Sequence, residues 1–192
     1  MDLRCFIAVE LPGDLTSRIG AVIDLLSQTG ADMKWVKKEN LHITLKFLGS
    51  TPEASINEII GALQKKLSHY APFYIRISGV GSFPPGRHPR VVWIGMDASG
   101  QLAAVHKEID EVMSRYGFKA EERRFSPHLT IGRVRSSRGL TGLITALHEM
   151  EPKAFGDVEV RGVALMKSEL KPAGPEYERL AEIQFLRRDD VG

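Results

Sequence analysis

Two short segments with one shared pattern constrain this chain more than any other feature. They are His42-Ile43-Thr44-Leu45 and His128-Leu129-Thr130-Ile131, one in each half of the 192 residues. Each lies in a run of apolar and β-branched residues, which reads as a strand. Side chains alternate across a strand, so His42 and Thr44 share one face while Ile43 and Leu45 share the other. The same holds for His128 and Thr130 against Leu129 and Ile131. The apolar face must pack on something, and the polar face must then meet water, a partner or a substrate. A lone histidine on a strand is usually structural. Two copies of the same polar pair, in equivalent places of two similar halves, point to one shared site.

The surrounding sequence supports that duplication. Each half reads as strand, helix, His-x-Thr strand, helix. Residues 3–10 form the first strand. A helix follows on Leu15, Ile19, Val22, Ile23 and Leu26, with Asp14 as its N-cap and Gly30 as its stop. The strand at 41–48 leads to a second helix, with Thr51 as cap, Pro52 at its first position and Ile56, Ile59, Ile60, Leu63 and Leu67 on its buried face. Strands at 73–80 and 90–96 flank a proline-rich loop at 83–89. A helix over 102–113 ends near Gly117. The second motif strand at 128–134 precedes a helix at 138–150, and two strands near 156–168 and 179–186 close the chain. This order predicts an α+β fold of two similar lobes, with mostly antiparallel sheets and flanking helices around a central cleft.

Composition narrows the class. Apolar residues make up 43% and charged residues 26%, which suits a soluble globular chain with a real core. No apolar stretch approaches the roughly 20 residues of a membrane span. The single cysteine, Cys5, excludes an intramolecular disulfide and sits in an apolar run, so it reads as a core residue. The N-terminus shows no charged leader with a cleavage site. Together these set the expectation of a cytoplasmic protein. No exposed apolar stripe stands out, so a monomer is expected. The net charge of +2 is too mild to imply nucleic acid by itself. Arginines do cluster near the motifs: Arg87 and Arg90 around the proline-rich loop, Arg123 and Arg124 before the second motif, and Arg133, Arg135 and Arg138 after it. They suit phosphate binding or a solvated surface.

Two imidazoles can divide the work of a general base and a general acid, because their ordinary pKa of about 6.5 lets one be neutral and one charged. Threonine hydroxyls can bond non-bridging phosphate oxygens, and an arginine can stabilise a phosphorane. That set suits in-line attack on a phosphodiester without a metal or cofactor. Zinc sites usually take three or four ligands, with Cys or carboxylate among them, and neither motif holds one. No Gly-x-Ser-x-Gly turn, Gly-x-Gly-x-x-Gly or Walker loop is present. Lys46, two positions beyond Thr44, falls by alternation on the His42 face and is a candidate phosphate contact. Arg90, at a strand end, is a candidate RNA contact. Trp35 and Trp93 read as packing residues, with base stacking as the other reading.

These motifs, with Arg4 to Pro12, Trp35-Val36, Lys46-Phe47-Leu48-Gly49, Pro89 to Trp93 and Phe125 to Arg133, resemble the 2H phosphoesterase superfamily over nearly the whole chain. The closest likeness is to RNA 2′,3′-cyclic phosphodiesterases, also called 2′–5′ RNA ligases. The resemblance implies one domain over 1–192 with two pseudo-symmetric lobes. It implies hydrolysis of 2′,3′-cyclic phosphates to 2′-phosphomonoesters, and reversible 2′–5′ joining of RNA ends such as tRNA halves. His42 would then be the proton donor and His128 the acceptor. Thr44, Thr130 and Arg133 would bind phosphate, and Phe47 would contact the base. Strict alternation places Phe47 and Arg133, each five residues after its histidine, on the wrong face. A strand end, a twist or a β-bulge is required to re-aim them. A related enzyme for another cyclic or linear phosphodiester, or an RNA-binding module without turnover, are the competing functions.

Overall fold

Residues 1–97, 100–122, 124–151, 153–172 and 174–186 are described by a computed structural model. Its nine strands are β1 (Asp2–Glu10), β2 (Met33–Trp35), β3 (His42–Pro52), β4 (Phe73–Phe83), β5 (Val91–Asp97), β6 (His128–Val134), β7 (Ala154–Val160), β8 (Gly162–Lys171) and β9 (Gly174–Gln184). Its helices are α1 (Gly13–Ser27), α2 (Ile56–Leu67), α3 (Gln101–Arg115) and α4 (Leu140–Met150). The strands form two sheets, in the orders β3-β1-β8-β9 and β2-β6-β5-β4-β7. Every described ladder is antiparallel. The fold is α+β with two lobes, one per sheet.

The duplication is present, with an exchange of helices. β1 pairs with β3 as β5 pairs with β6. α1, which joins the first pair, packs with α4 beside the second sheet; α3, which joins the second pair, packs with α2 against β3. The amphipathic spacing of α1 explains its burial: Leu15, Ile19, Val22, Ile23 and Leu26 all face inward. Each such side chain contributes about 1.5–3 kcal/mol. Ile7 and Ile43 of one sheet and Ile75, Ile94 and Leu129 of the other belong to a single buried cluster. The backs of both motif strands are thus fixed to one core.

Several local expectations are corrected. Asp14 lies in the first turn of α1, and the cap position is Pro12, with no side-chain cap bond. Thr51 is not a helix cap: it is fully buried in β3 and pairs with Leu3. β3 runs on through Pro52, and a single 3₁₀ turn at Glu53–Ser55 comes before α2. The apolar run 156–168 is two strands in different sheets, separated by Arg161 alone. The core-facing phase slips by one residue there, from Val158 and Val160 to Val163 and Leu165. Gly162 makes the switch possible, because a Cβ there would fall 2.3 Å from the Ile183 carbonyl oxygen. β2 is only three residues long and carries no periodic signal of its own.

Lys46 is also corrected. It does not face the site with His42. It is buried, with 7% of its surface exposed, and its Nζ pairs with Asp110 of α3 and donates to the Lys119 carbonyl at 2.9 Å. Asp110 also accepts from the Glu121 amide. Burial pushes the Asp110 carboxyl up, but the bonds from Lys46 and Glu121 outweigh this and hold it below its ordinary value. The pair ties β3 to α3 and to the segment leading into β6. Removing one partner strands the other charge, so Lys46→Ala is expected to cost about 3 kcal/mol. Replacing both partners by apolar residues should recover most of it. Urea unfolding of Lys46→Ala and of Lys46→Met with Asp110→Leu checks both outcomes.

Candidate active site

His42 opens β3 and His128 opens β6. Each ring is anchored the same way. His42 Nδ1 lies 2.8 Å from the Asn40 carbonyl, and His128 Nδ1 lies 2.8 Å from the Ser126 carbonyl. A carbonyl only accepts, so Nδ1 carries the hydrogen in both rings and Nε2 is left for chemistry. A neutral ring then accepts at Nε2, and a protonated ring donates there. Each ring also meets an aromatic edge from its own sheet. Tyr177 of β9 stands 5.3 Å from His42 at 88°, and Phe83 of β4 stands 5.2 Å from His128 at 85°.

Alternation breaks in both motif strands, in the same way. In β3, Thr44 faces Ala8 but Lys46 faces Ile7, so Leu45 is an extra residue. Phe47 then faces Phe6, two residues along β1 from Ala8, and so returns to the face of His42 and Thr44. It is 67% exposed, with its ring 6.2 Å from that of Phe6. In β6, Thr130 faces Trp93 and Gly132 faces Val92, so Ile131 is the extra residue. Arg133 then faces Val91 and joins the side of His128 and Thr130. Lys34 of β2 lies directly opposite Arg133 and adds a second cation to that face.

The two faces are close. β2 pairs with β6, and the Val36 amide donates to the Ile131 carbonyl at 2.9 Å; a few residues later the same segment becomes β3. β3 and β6 lie side by side across the lobes. The charge of Arg133, on the second sheet, is felt at Tyr177, on the first. A depression of about 270 Å³ beside His42 is bounded by Glu10, Asn40, Tyr177 and Arg179. Another, of about 260 Å³, lies between α1 and the segment after β2 and touches neither histidine.

The surroundings of the two histidines differ. His42 sits over Phe6, at 4.8 Å between ring centres, in a small apolar cluster of Phe6, Ala8, Ala164 and Met166 with Tyr177 packed on it. Burial lowers the His42 pKa, and the bond to Asn40 offsets part of this. On the other side Trp93 lies against Gly81 and Gly95, next to Phe83 at 5.1 Å. Its Nε1–H is buried and has no acceptor among the described residues. Trp35 instead packs against the core over Gly132.

The expected site residues divide accordingly. His42, Thr44 and Phe47 share one face, and His128, Thr130 and Arg133 share the other. Arg90 has the parity of the buried Val92 and Ile94, with an exposed side chain, so register does not join it to His128. Arg123 lies outside the described residues. Among the described residues no three of His, Cys, Asp and Glu gather as metal ligands, and no helix is long and apolar enough to cross a membrane. Sequence reasoning missed Tyr177, which lies in the charged run Glu176–Arg179, and Lys34, which lies in the short β2. Phe6 has Phe47, not His42, as its strand partner, and its ring contact with His42 is one that the sequence does not reveal.

A family model described as the 2′-5′ RNA ligase superfamily matches residues 18–172. The chain belongs to this superfamily, the 2H phosphoesterases. It is similar to a protein named RNA 2′,3′-cyclic phosphodiesterase from Methanocaldococcus jannaschii, at 38% identity over 94% of this chain and 99% of that one. A relative of the same name from Methanothermobacter thermautotrophicus is 37% identical over 92% of this chain and 96% of its own. A crystal structure of a Thermus thermophilus protein superposes with a TM-score of 0.80 at 27% identity, covering 97% of this chain and all of that one. Escherichia coli LigT complexed with 3′-AMP shares the fold, at a TM-score of 0.79 and 21% identity over 97% of this chain and all of its own.

Trp93 depends on the missing side chain of Gly81, where a Cβ would fall 2.5 Å from the indole ring. Gly81→Ala is therefore expected to displace the indole, shift tryptophan fluorescence and cost about 1–3 kcal/mol. Gly61→Ala, on an open face of α2, should be neutral or mildly stabilising. Fluorescence and thermal unfolding of the two variants make the comparison.

Proposed function

We propose that this protein is a metal-independent RNA 2′,3′-cyclic phosphodiesterase that yields 2′-phosphomonoesters by two-histidine acid–base catalysis. The observation that carries the reading is the matched anchoring of the two rings. Both Nδ1 atoms bond a carbonyl, so both Nε2 atoms are free to move a proton. His128, neutral, takes a proton from water as its oxygen attacks phosphorus. The bond from phosphorus to the ribose 3′-oxygen breaks, and protonated His42 gives its proton to that oxygen. Thr44 and Thr130 bond the non-bridging oxygens, and Arg133 offsets the charge that builds on them. Phe47, exposed beside Phe6, offers a face to the terminal base. With a 5′-hydroxyl in place of water as the attacking group, the same steps give 2′–5′ joining, with tRNA halves as one class of ends; their reverse, attack by the 3′-hydroxyl, cleaves that linkage and restores the cyclic phosphate. The two lobes act as one unit, since both motif strands share a buried cluster.

The relatives' names support the substrate class. The assignment of donor and acceptor draws on family resemblance and on the environment of His42. A buried imidazole over an aromatic ring holds a proton weakly until an anion arrives. A bound phosphate then favours the charged ring, at the moment the donor is needed.

His42→Ala and His128→Ala should each lower kcat about 10²–10⁴-fold, with binding of the 2′-phosphate product largely retained. Turnover that survives both single changes would sink the assignment. The pH dependence has a definite sign. Rising pH deprotonates His42 and removes the donor. Because its pKa is lowered in the free protein, the alkaline limb of kcat/KM should fall at or below about 6.5. The limb of kcat, set by the anion-bound form, should lie higher. A kcat/KM limb well above neutrality would contradict this role for His42.

A further inference from the structure

The cleft face of β1 continues beyond the residues used so far. Alternation puts Arg4, Phe6 and Ala8 on that face. Ala8 stands opposite Thr44, Phe6 opposite Phe47, and Arg4 opposite Ser50. Along the strand this is a series: the phosphate-binding threonine, then the aromatic pair, then a guanidinium. Arg4 is two residues past Phe6, about 7 Å further from the threonine level. It is exposed, and among the described residues neither Arg4 nor Arg133 takes part in an ion pair.

Tyr177 reaches the same place from the opposite edge. β8 pairs with β1 only over Ala164–Lys167, while the β8–β9 ladder continues to Lys171 and Gly174. The end of this ribbon extends past the sheet. The Asn40 side chain donates to the Pro175 carbonyl at 2.8 Å and so ties the ribbon to the loop that anchors His42. Tyr177 is thereby held on Phe6, at 5.0 Å between ring centres. Its hydroxyl has no hydrogen-bond partner among the described residues. The charges acting on the phenol are Arg133 and Arg4, which oppose the larger upward effect of burial. A phenol donor on the same face as the Arg4 guanidinium, two residues past Phe6, is an arrangement for an anion.

We propose that Arg4 and the Tyr177 hydroxyl form a second anion subsite. It takes the internucleotide phosphate on the 5′ side of the terminal nucleotide. The site is then built for RNA ends of two or more nucleotides rather than for mononucleotides. This inference rests on the cyclic phosphodiesterase reading and names what that site selects.

Three substrates test it: a nucleoside 2′,3′-cyclic phosphate, a dinucleotide ending in one, and the same dinucleotide with a neutral methylphosphonate linkage. The wild-type protein should prefer the charged dinucleotide over its neutral analogue by about tenfold in kcat/KM, mainly through KM, as expected of one charge-assisted hydrogen bond. Arg4→Gln should bring that ratio to within about twofold of one, and Tyr177→Phe, which keeps the ring packing, should reduce it. A ratio unchanged in both variants would overturn the subsite. So would an equal loss on all three substrates, which would place Arg4 at the scissile phosphate. If the wild-type protein turned over none of the three, the phosphodiesterase reading would fail, and the subsite with it.

Discussion

The first extra residue in each motif strand decides what stands beside each histidine; β3 has a second, Leu48, beyond Phe47. Leu45 in β3 and Ile131 in β6 are unmatched in their ladders. A slip of one residue moves every following side chain to the other face. Without it Phe47 and Arg133 would point into the core, and Lys46 would stand beside Thr44. With it an aromatic ring and a guanidinium join the histidine faces, and the ammonium of Lys46 goes inside. A buried ammonium needs a counter-charge, which Asp110 supplies from α3. The ion pair joining the motif strands' surroundings is thus a consequence of the bulge.

The second feature is likeness in anchoring with difference in surroundings. Both rings have the same tautomer, set by the carbonyl two residues before. Alone, this would leave donor and acceptor interchangeable. The proposed assignment rests on the family resemblance and on a difference in environment. His42 is packed between Phe6 and Tyr177, while the His128 side carries Arg133 and Lys34 in adjacent strands. The proposed mechanism uses this difference, with the buried ring charged only when an anion is present.

Much of this was legible in the sequence, for identifiable reasons. The motif strands and helices α1 to α4 have strong periodicity, and periodicity reports which face is buried. The need for a re-aiming of Phe47 and Arg133 was visible too, since five is an odd number of steps. What the sequence hides is register. No residue type marks Leu45 as unmatched, so Lys46 reads as a cleft residue until its partner in α3 is seen. The sheet switch at Arg161 is hidden because apolar residues continue on both sides of it and no proline interrupts the run. Tyr177 is hidden because a ribbon that leaves its sheet has no buried stripe, and its neighbours are charged. Phe6, read from the sequence as one of a run of strand residues, is the ring on which His42, Phe47 and Tyr177 converge.

The most direct test of the central claim is turnover of a short RNA ending in a 2′,3′-cyclic phosphate, in excess EDTA, with the 2′- and 3′-phosphate products resolved. The two-histidine account predicts undiminished turnover and a 2′-phosphate product, because the 3′-oxygen leaves on the proton from His42. A 3′-phosphate product would contradict the placement of the donor, and loss of turnover in EDTA would contradict catalysis by the histidines alone.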